Sequence, residues 1–380
     1  MADLSVIYSN HYTMNLELMD PALEPVAEKV VSGVRLSRED ALLLYRSHDL
    51  LGIGQLATMV RERLYGKKTF YVYNQHLNYT NVCINRCLFC AYSKDKGENG
   101  AFTLSVEEVI ERIRKRESEP IREVHIVGGL NPDLPFSYYL DLIRTVKTLR
   151  PEATIKAFTA VEIDHMSHIS GLGLKDVFTA LKEAGLCMMP GGGAEVLSER
   201  IHRKLYPRKI GPERWMEVIR TAHESGIPTN ATMLYGHIET LEERVEHLLK
   251  LRSLQDETGG IQAFIPLAFH SKNTRLPQLP PTVAMDDLKT IAISRLVLDN
   301  IPHIKAYWVM ITPALAQVAM AFGADDLDGT IVEEKITHMA GARTPKGLSR
   351  DEIRNLILSC GYEPVERDAF YEPIGQSEDS

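Results

Sequence analysis

The 380 residues are 44% hydrophobic and 25% charged, with a formal net charge of −8 at pH 7. Such a composition excludes whole-chain disorder, collagen and a small disulfide-stapled fold, and the acidic balance argues against a nucleic-acid partner held by bulk charge. No apolar run approaches the roughly 18–20 residues of a membrane-spanning helix. The length suits two or three domains of about 150 residues, or one α/β barrel of about 250 residues with extensions. The opening MADLSVIYSNHYTMNLELMD has neither the basic start nor the apolar core of a secretory signal, so a cytoplasmic location is expected.

In chain order, residues 37–65 read as a helical preface. The first β-rich run is HLNYTNV (76–82). A helix follows in SVEEVIERIRKR, with Val106, Val109, Ile110 and Ile113 on one face and Ser105 with Glu108 as a capping box. The runs EVHIV (123–127) and TIKAF (154–158), then a weaker GLCMM (185–189), extend the strand series. The helix PERWMEVIRTAHESGIP has Pro212 in its first turn and stops at Gly226 and Pro228. TNATML (229–234) precedes LEERVEHLLKL, whose apolar face is Leu241, Val245, Leu248 and Leu249 behind a Thr240–Glu243 cap. IQAFI (261–265) and IKAYW (304–308) complete the strand candidates. A terminal helix over 349–360 opens on Ser349 and Glu352, and GQSEDS (375–380) reads as a solvated tail.

Seven strand candidates separated mostly by helices predict right-handed crossovers and a parallel sheet. The expected fold is α/β, a TIM-type (β/α) barrel, complete or partly open, with a helical preface and a C-terminal helical extension. Its parts are 1–67 as N-terminal extension, 68–330 as barrel, and 331–380 as an extension packed on the barrel and ending in a flexible tail. GADDLDGTIVEE (323–334) does not declare which strand closes the ring. No GxGxxG follows a strand and no GxxxxGK[ST] occurs, so dinucleotide-fingerprint and P-loop readings lack support.

Five cysteines in a chain without a visible signal do not suggest a disulfide framework. Three lie in Cys83-Ile-Asn-Arg-Cys87-Leu-Phe-Cys90, a CxxxCxxC directly after the first barrel-like strand. Structural zinc takes four protein ligands; His76 could be a fourth, but it lies across the strand, and there is no second CxxC. Three thiolates suit a four-iron, four-sulfur cube with one iron open to a substrate's amino and carboxylate groups. Ferredoxin spacing differs. Structural zinc and an electron-transfer cluster stay as alternatives. Cys187 and Cys360 read as buried thiols.

With an aromatic before its last cysteine (Phe89), the motif resembles the cluster loop of the radical S-adenosylmethionine (SAM) enzymes. The segments EVHIVGGLNPDLPFSYYLDLIR, IKAFTAVEI, MMPGGGAEVL, NATMLYGHIET and HMAGARTP resemble, in that order, the menaquinone branch of this family over residues 40 to 372. Cys187-Met188-Met189 departs from the small polar residue and leucine-like packing that the branch would place before Pro190. The resemblance implies that Cys83, Cys87 and Cys90 hold three irons of a [4Fe-4S] cluster and that SAM is consumed as co-substrate. It places Phe89 and Tyr92 beside the adenine, and Gly128-Gly129 where the backbone can approach the methionine amino group. Glu162 and Glu195 would meet ribose hydroxyls or the ammonium, with Gly191–Gly193 as a backbone nest. Tyr235 and Ile238 would line the adenine side. For single glycines and glutamates, a turn or a helix-start acid is the competing reading.

The implied substrate is a dicarboxylate aryl enol ether, 3-[(1-carboxyvinyl)oxy]benzoate, whose two anions call for oriented donors. The candidates are His76, His125, Lys156, Arg275, His338 and Arg343; no catalytic acid or base is assigned. The implied reaction needs an external flavodoxin- or ferredoxin-type reductant. A 5′-deoxyadenosyl radical adds to the enol-ether double bond, and aryl migration with loss of a one-carbon unit then gives 6-amino-6-deoxyfutalosine. Neither a nucleic acid nor a membrane is an expected partner. Two other readings remain: a hydrogen-abstracting sister such as cyclic dehypoxanthine futalosine synthase, and, in a different class, a zinc-stabilised binding protein.

Overall fold

The computed structural model describes residues 7–9, 12–14, 17–331 and 335–374; the GQSEDS tail and 332–334 lie outside them. Two short strands, β1 (Ile7–Ser9) and β2 (Tyr12–Met14), pair antiparallel. The helical preface is built by Glu24–Ser32, Arg38–Arg46 and Leu50–Tyr65. Its starts are written locally. Ser37 and Asp40 form a capping box, and Asp49 accepts from the Gly52 N–H, each such cap stabilising by about 1 kcal/mol. The capping boxes read at Ser105/Glu108, Thr240/Glu243 and Ser349/Glu352 all form.

Nine further strands follow: β3 (Lys68–Val72), β4 (Asn74–Leu77), β5 (Glu123–Ile126), β6 (Thr154–Ala157), β7 (Thr229–Tyr235), β8 (Ile261–Ala268), β9 (His303–Ile304), β10 (Asp326–Gly329) and β11 (Glu363–Arg367). They form three parallel sheets, ordered β4-β5-β6, β7-β8-β9 and β10-β3-β11. Single parallel bridges, Lys156 to Met188 and Met189 to Thr229, join the first sheet to the second. Another, Lys305 to Asp326, joins the second to the third. The strands therefore follow a barrel-like ring, but among the described residues no continuously hydrogen-bonded closed barrel forms. One physical reason lies at GLCMM: Pro190 has no N–H to extend the ladder, and that run contributes two bridges instead of a strand. No described helix is long and apolar enough to cross a membrane.

The strands depart from the sequence expectation at several places. IKAYW supplies only Ile304 to β9, Trp308 already opening the helix Trp308–Ile311, and β3 was not among the strand candidates. HLNYTNV enters the sheet only through His76 and Leu77, the strand starting earlier at Asn74. β10 is the acid-rich DLDG, and every one of its residues is buried; Arg367 (2.6 Å from Asp326) and Lys305 (3.0 Å from Asp328) compensate its carboxylates. β11 pairs along β3 from Glu363–Lys68 to Arg367–Val72. The C-terminal segment thus carries the helix Arg350–Leu358 and then a strand, where the sequence suggested helix alone.

Candidate active site

The cysteine loop leaves β4 at the C-terminal ends of the strands, the face on which (β/α) barrels carry their chemistry. It is pinned from several directions. The Cys83 N–H donates to Lys94 O (3.1 Å), Ile84 N–H to Leu130 O (3.1 Å) and Leu88 N–H to Leu205 O (2.9 Å). Arg86 turns the chain in the left-handed region, with φ 50°. Arg275 closes the loop from the far side of the sequence: its N–H donates to Leu88 O (3.0 Å) and its guanidinium to the carbonyls of Arg86 and Cys87. Burial pushes the Cys87 thiol up to about 12; Lys209 opposes this, and neighbouring Cys90 and Cys83 add to it. Burial raises Cys90 too. Thiols so raised are poor free nucleophiles and become good ligands once a soft cation displaces the proton. Among the described residues no three His, Cys, Asp or Glu side chains converge on a point that one metal ion could occupy. Three thiols in one loop are the donor set of a cluster with one open iron, one fewer than structural zinc takes.

Beneath this loop lies a cavity of about 340 Å³. Phe89 and Cys90 form its roof, and Gly128, Glu162, Gly191–Gly193 and Glu195 its waist. Steric necessity fixes the Gly128-Gly129 pair. A Cβ on Gly128 would sit 2.6 Å from the Tyr79 ring, and one on Gly129 would sit 2.2 Å from Val82 O and 3.0 Å from Cys83 Cβ. Gly129 thus serves the seating of the cysteine loop, while Gly128 faces the cavity. Glu162 is the helix-start acid of Ala160–Ser170, boxed with Thr159. Its carboxylate accepts from Tyr79 OH (2.7 Å), Gly128 N–H (3.0 Å), Thr159 N–H (2.7 Å) and Thr159 OH (2.8 Å). Burial still pushes it up to about 6 against those bonds. Glu195 sits in a turn at φ 50° and pairs with Lys209.

The floor is polar. His76 and His125 stack with centroids 4.6 Å apart. Lys156 pairs with Glu123 at 2.7 Å, both essentially without exposure. Burial, with His76 and Lys156 adding, holds His125 well below the usual histidine range. Asn230, Thr232 and Asp328 also face this space, although none stands out in the sequence. The one trace of Asn230 and Thr232 is the polar–apolar alternation of TNATML.

Other expected residues lie elsewhere. Tyr92 is buried against Phe102. Tyr235 points outward, its hydroxyl donating to Asp287 (2.7 Å), and Ile238 packs on the core. Arg275 is committed to the cysteine-loop carbonyls, and His338 contacts Thr344 O (3.0 Å). Arg343 is exposed. None of these lines the cavity. Cys187 is half-buried and Cys360 exposed, so the expected burial fails for Cys360, which sits past the end of a surface helix.

Residues 77–251, from β4 and the cysteine loop through β7, match the radical SAM superfamily. Over 361 residues the chain is 50% identical to the aminodeoxyfutalosine synthase of Thermus thermophilus, covering 94% of this chain and 97% of that protein. The chain belongs to the radical SAM superfamily. As a radical SAM enzyme it uses a [4Fe-4S] cluster and S-adenosylmethionine. Residues 258–379 match the CofH/MqnC C-terminal region. A second aminodeoxyfutalosine synthase, from Streptomyces coelicolor, is 42% identical over 95% of this chain and 96% of its own. A 5-amino-6-(D-ribitylamino)uracil–L-tyrosine 4-hydroxyphenyl transferase of Methanosarcina barkeri is 38% identical, covering 92% and 94%. Among solved structures, methylornithine synthase superposes with a TM-score of 0.72 at 18% identity over 89% of this chain and 97% of that one. The hydrogenase maturase HydG of Carboxydothermus hydrogenoformans gives 0.71 at 18%, covering 92% and 80%. At this identity the two show a shared fold alone.

Proposed function

We propose that this radical SAM enzyme joins the 5′-deoxyadenosyl group of SAM to 3-[(1-carboxyvinyl)oxy]benzoate, forming 6-amino-6-deoxyfutalosine for menaquinone synthesis. The observation that carries this reading is the 50% identity to the Thermus synthase over nearly the whole chain, against 38% to the archaeal transferase. Cys83, Cys87 and Cys90 are the proposed cluster ligands. When bound and reduced by a flavodoxin- or ferredoxin-type donor, the cluster supplies the electron that releases the 5′-deoxyadenosyl radical from SAM.

The chain's own groups bind, orient and exclude. Gly128, Glu162 and Glu195 offer a backbone edge and two carboxylates to the amino acid and ribose of SAM, with Phe89 above. Glu162, at about 6, is mostly anionic at neutral pH and complements an ammonium there. His76, His125 and Lys156 offer donors to the substrate's anions from below. Leu234, Leu267 and Phe269 wall the space between with apolar surface, keeping water and stray hydrogen donors from the alkene and holding it within near-attack distance.

The match to the CofH/MqnC C-terminal region supports a second reading, hydrogen abstraction by a sister enzyme. A product assay decides. Reconstituted, reduced enzyme given SAM and the enol ether should form the adenosylated adduct, whereas free 5′-deoxyadenosine without adduct would defeat the proposal.

Arg275 is reassigned from a substrate cation to a clamp on the cluster loop. Arg275→Ala should lose half or more of its iron on anaerobic gel filtration, while Arg343→Ala retains it. Retained iron with only a raised KM would return Arg275 to substrate binding.

A further inference from the structure

The segment ERIHRKLYPRK (199–209) is strongly basic within a chain of net charge −8. It forms the helix Glu199–Leu205 and the turn after it. Two of its cations are paired, Arg200 with Glu243 and Lys209 with Glu195. Arg203, Lys204 and Arg208 are exposed. Arg203 donates to the Glu199 carbonyl one turn back (3.3 Å), and among the described residues none of the three meets a carboxylate. The segment touches the cysteine loop at its centre. Leu88 and Phe89 are the two residues between Cys87 and Cys90. Leu88 N–H donates to Leu205 O at 2.9 Å, and the Phe89 ring meets the Tyr206 ring edge-on at 5.7 Å. From elsewhere in the chain Arg275 N–H joins the same Leu88 through its carbonyl, and Arg275 and Lys272 are both exposed. The other charges around the loop cancel: Arg86 with Asp95 and Glu98, Lys94 with Glu98, Lys96 with Asp133. A net positive face, with half-buried Leu88 and exposed Pro207 as its apolar part, therefore abuts the loop. None of its residues lines the cavity.

We propose that this face docks the electron donor, a flavodoxin, whose acidic rim meets Arg203, Lys204 and Arg208 while the apolar edge of its flavin rests on Leu88 and Pro207. Unpaired surface cations add little to the stability of a fold. What they supply on an acidic protein is a local field that steers an anionic partner to one place. Electron-transfer encounters are brief and need only a small contact area. The way in is short, because Leu88 and Phe89 are chain neighbours of Cys87 and Cys90. In the step itself one electron leaves the anionic flavin hydroquinone, which becomes the neutral semiquinone, and enters the oxidised cluster; no proton or covalent bond is exchanged. The inference rests on the reading of the three cysteines as cluster ligands and is independent of which substrate the enzyme takes.

The test is calorimetric binding of flavodoxin to reconstituted holoenzyme at low salt and at about 0.3 M salt. Wild type is compared with the triple variant Arg203→Glu/Lys204→Glu/Arg208→Glu. The control is Arg114→Glu/Lys115→Glu, which reverses two exposed cations at the end of the helix Val106–Arg114. At low salt the triple variant should bind at least about 30-fold more weakly and lose most of the salt dependence, while the control stays within about twofold of wild type. Iron content and dithionite-driven SAM cleavage should be unchanged in the triple variant, which separates docking from cluster assembly. If the triple variant loses iron, the milder Arg203→Gln/Arg208→Gln takes its place, with binding weakened about 5-fold. An iron-replete variant that binds flavodoxin as wild type does would overturn the proposal, as would an equal loss in the control. Tighter, patch-dependent binding of a ferredoxin would overturn the choice of carrier. Retention of the cluster by Cys87→Ala, read from iron alone, would instead fail the ligand reading on which the inference rests.

Discussion

Cys87→Ala should fold and yet retain less than about one iron per chain after reconstitution, where wild type carries about four, and its product formation should fall at least about 1000-fold. Cys87 is buried, and burial keeps its thiol protonated in the absence of metal. Without a cluster it behaves as a small apolar side chain, and its removal leaves a void of one sulfur atom, costing about 1 kcal/mol. On the proposed ligand set, the cluster would lose one of its three cysteines. Iron and sulfide analysis, the reduced EPR signal and far-UV circular dichroism test the two halves separately. Full activity in the variant would defeat the cluster assignment. Cys360→Ala, at an exposed position, should leave iron content unchanged.

Glu123→Gln should destabilise the fold by about 3–5 kcal/mol, because it leaves the buried Lys156 ammonium without its counter-charge. The side chains are 0% and 3% exposed and 2.7 Å apart, so solvent screens little. Burial alone would raise the Glu123 carboxyl; Lys156, Lys305 and Arg367 together outweigh it and hold the group below the ordinary glutamate value of 4.5. A group that titrates lower when folded contributes fully above that ordinary value, and the contribution is lost as pH falls through the folded one. Wild type should therefore lose stability on acidification more steeply than the variant. Denaturant unfolding of cluster-free protein at neutral and acidic pH measures both effects. A neutral-pH loss below about 1 kcal/mol would mean that Lys156 sheds its proton instead, and Lys156→Met in the same chain should recover part of the loss.

The sequence disclosed those features that depend on local chemistry. Capping boxes at Ser105, Thr240 and Ser349 form as read, since each needs only a hydroxyl and a carboxylate three residues apart. The CxxxCxxC loop and the Gly128 and Glu162 strand ends were legible for the same reason. Features built by long-range compensation were hidden. The acidic β10 has the composition of a turn, and only Arg367 and Lys305, distant in the chain, make it a strand. Arg275 looked like a cation awaiting an anion, yet its partners are backbone carbonyls 188 and 189 positions away. Tyr235 and Ile238 were read from the motif at the end of β7, whose side-chain parity turns Tyr235 outward to Asp287.

β11 lies alongside β3, so the last described strand is stitched to the first strand of the ring. Pairings of such long sequence separation form slowly. During synthesis, the cysteine loop emerges long before Arg275, whose guanidinium holds two of its carbonyls. On the proposed ligand set, stable cluster loading should wait until Arg275 has been made and the loop is clamped, so assembly in the cell should be paced by folding as well as by the supply of iron and sulfide.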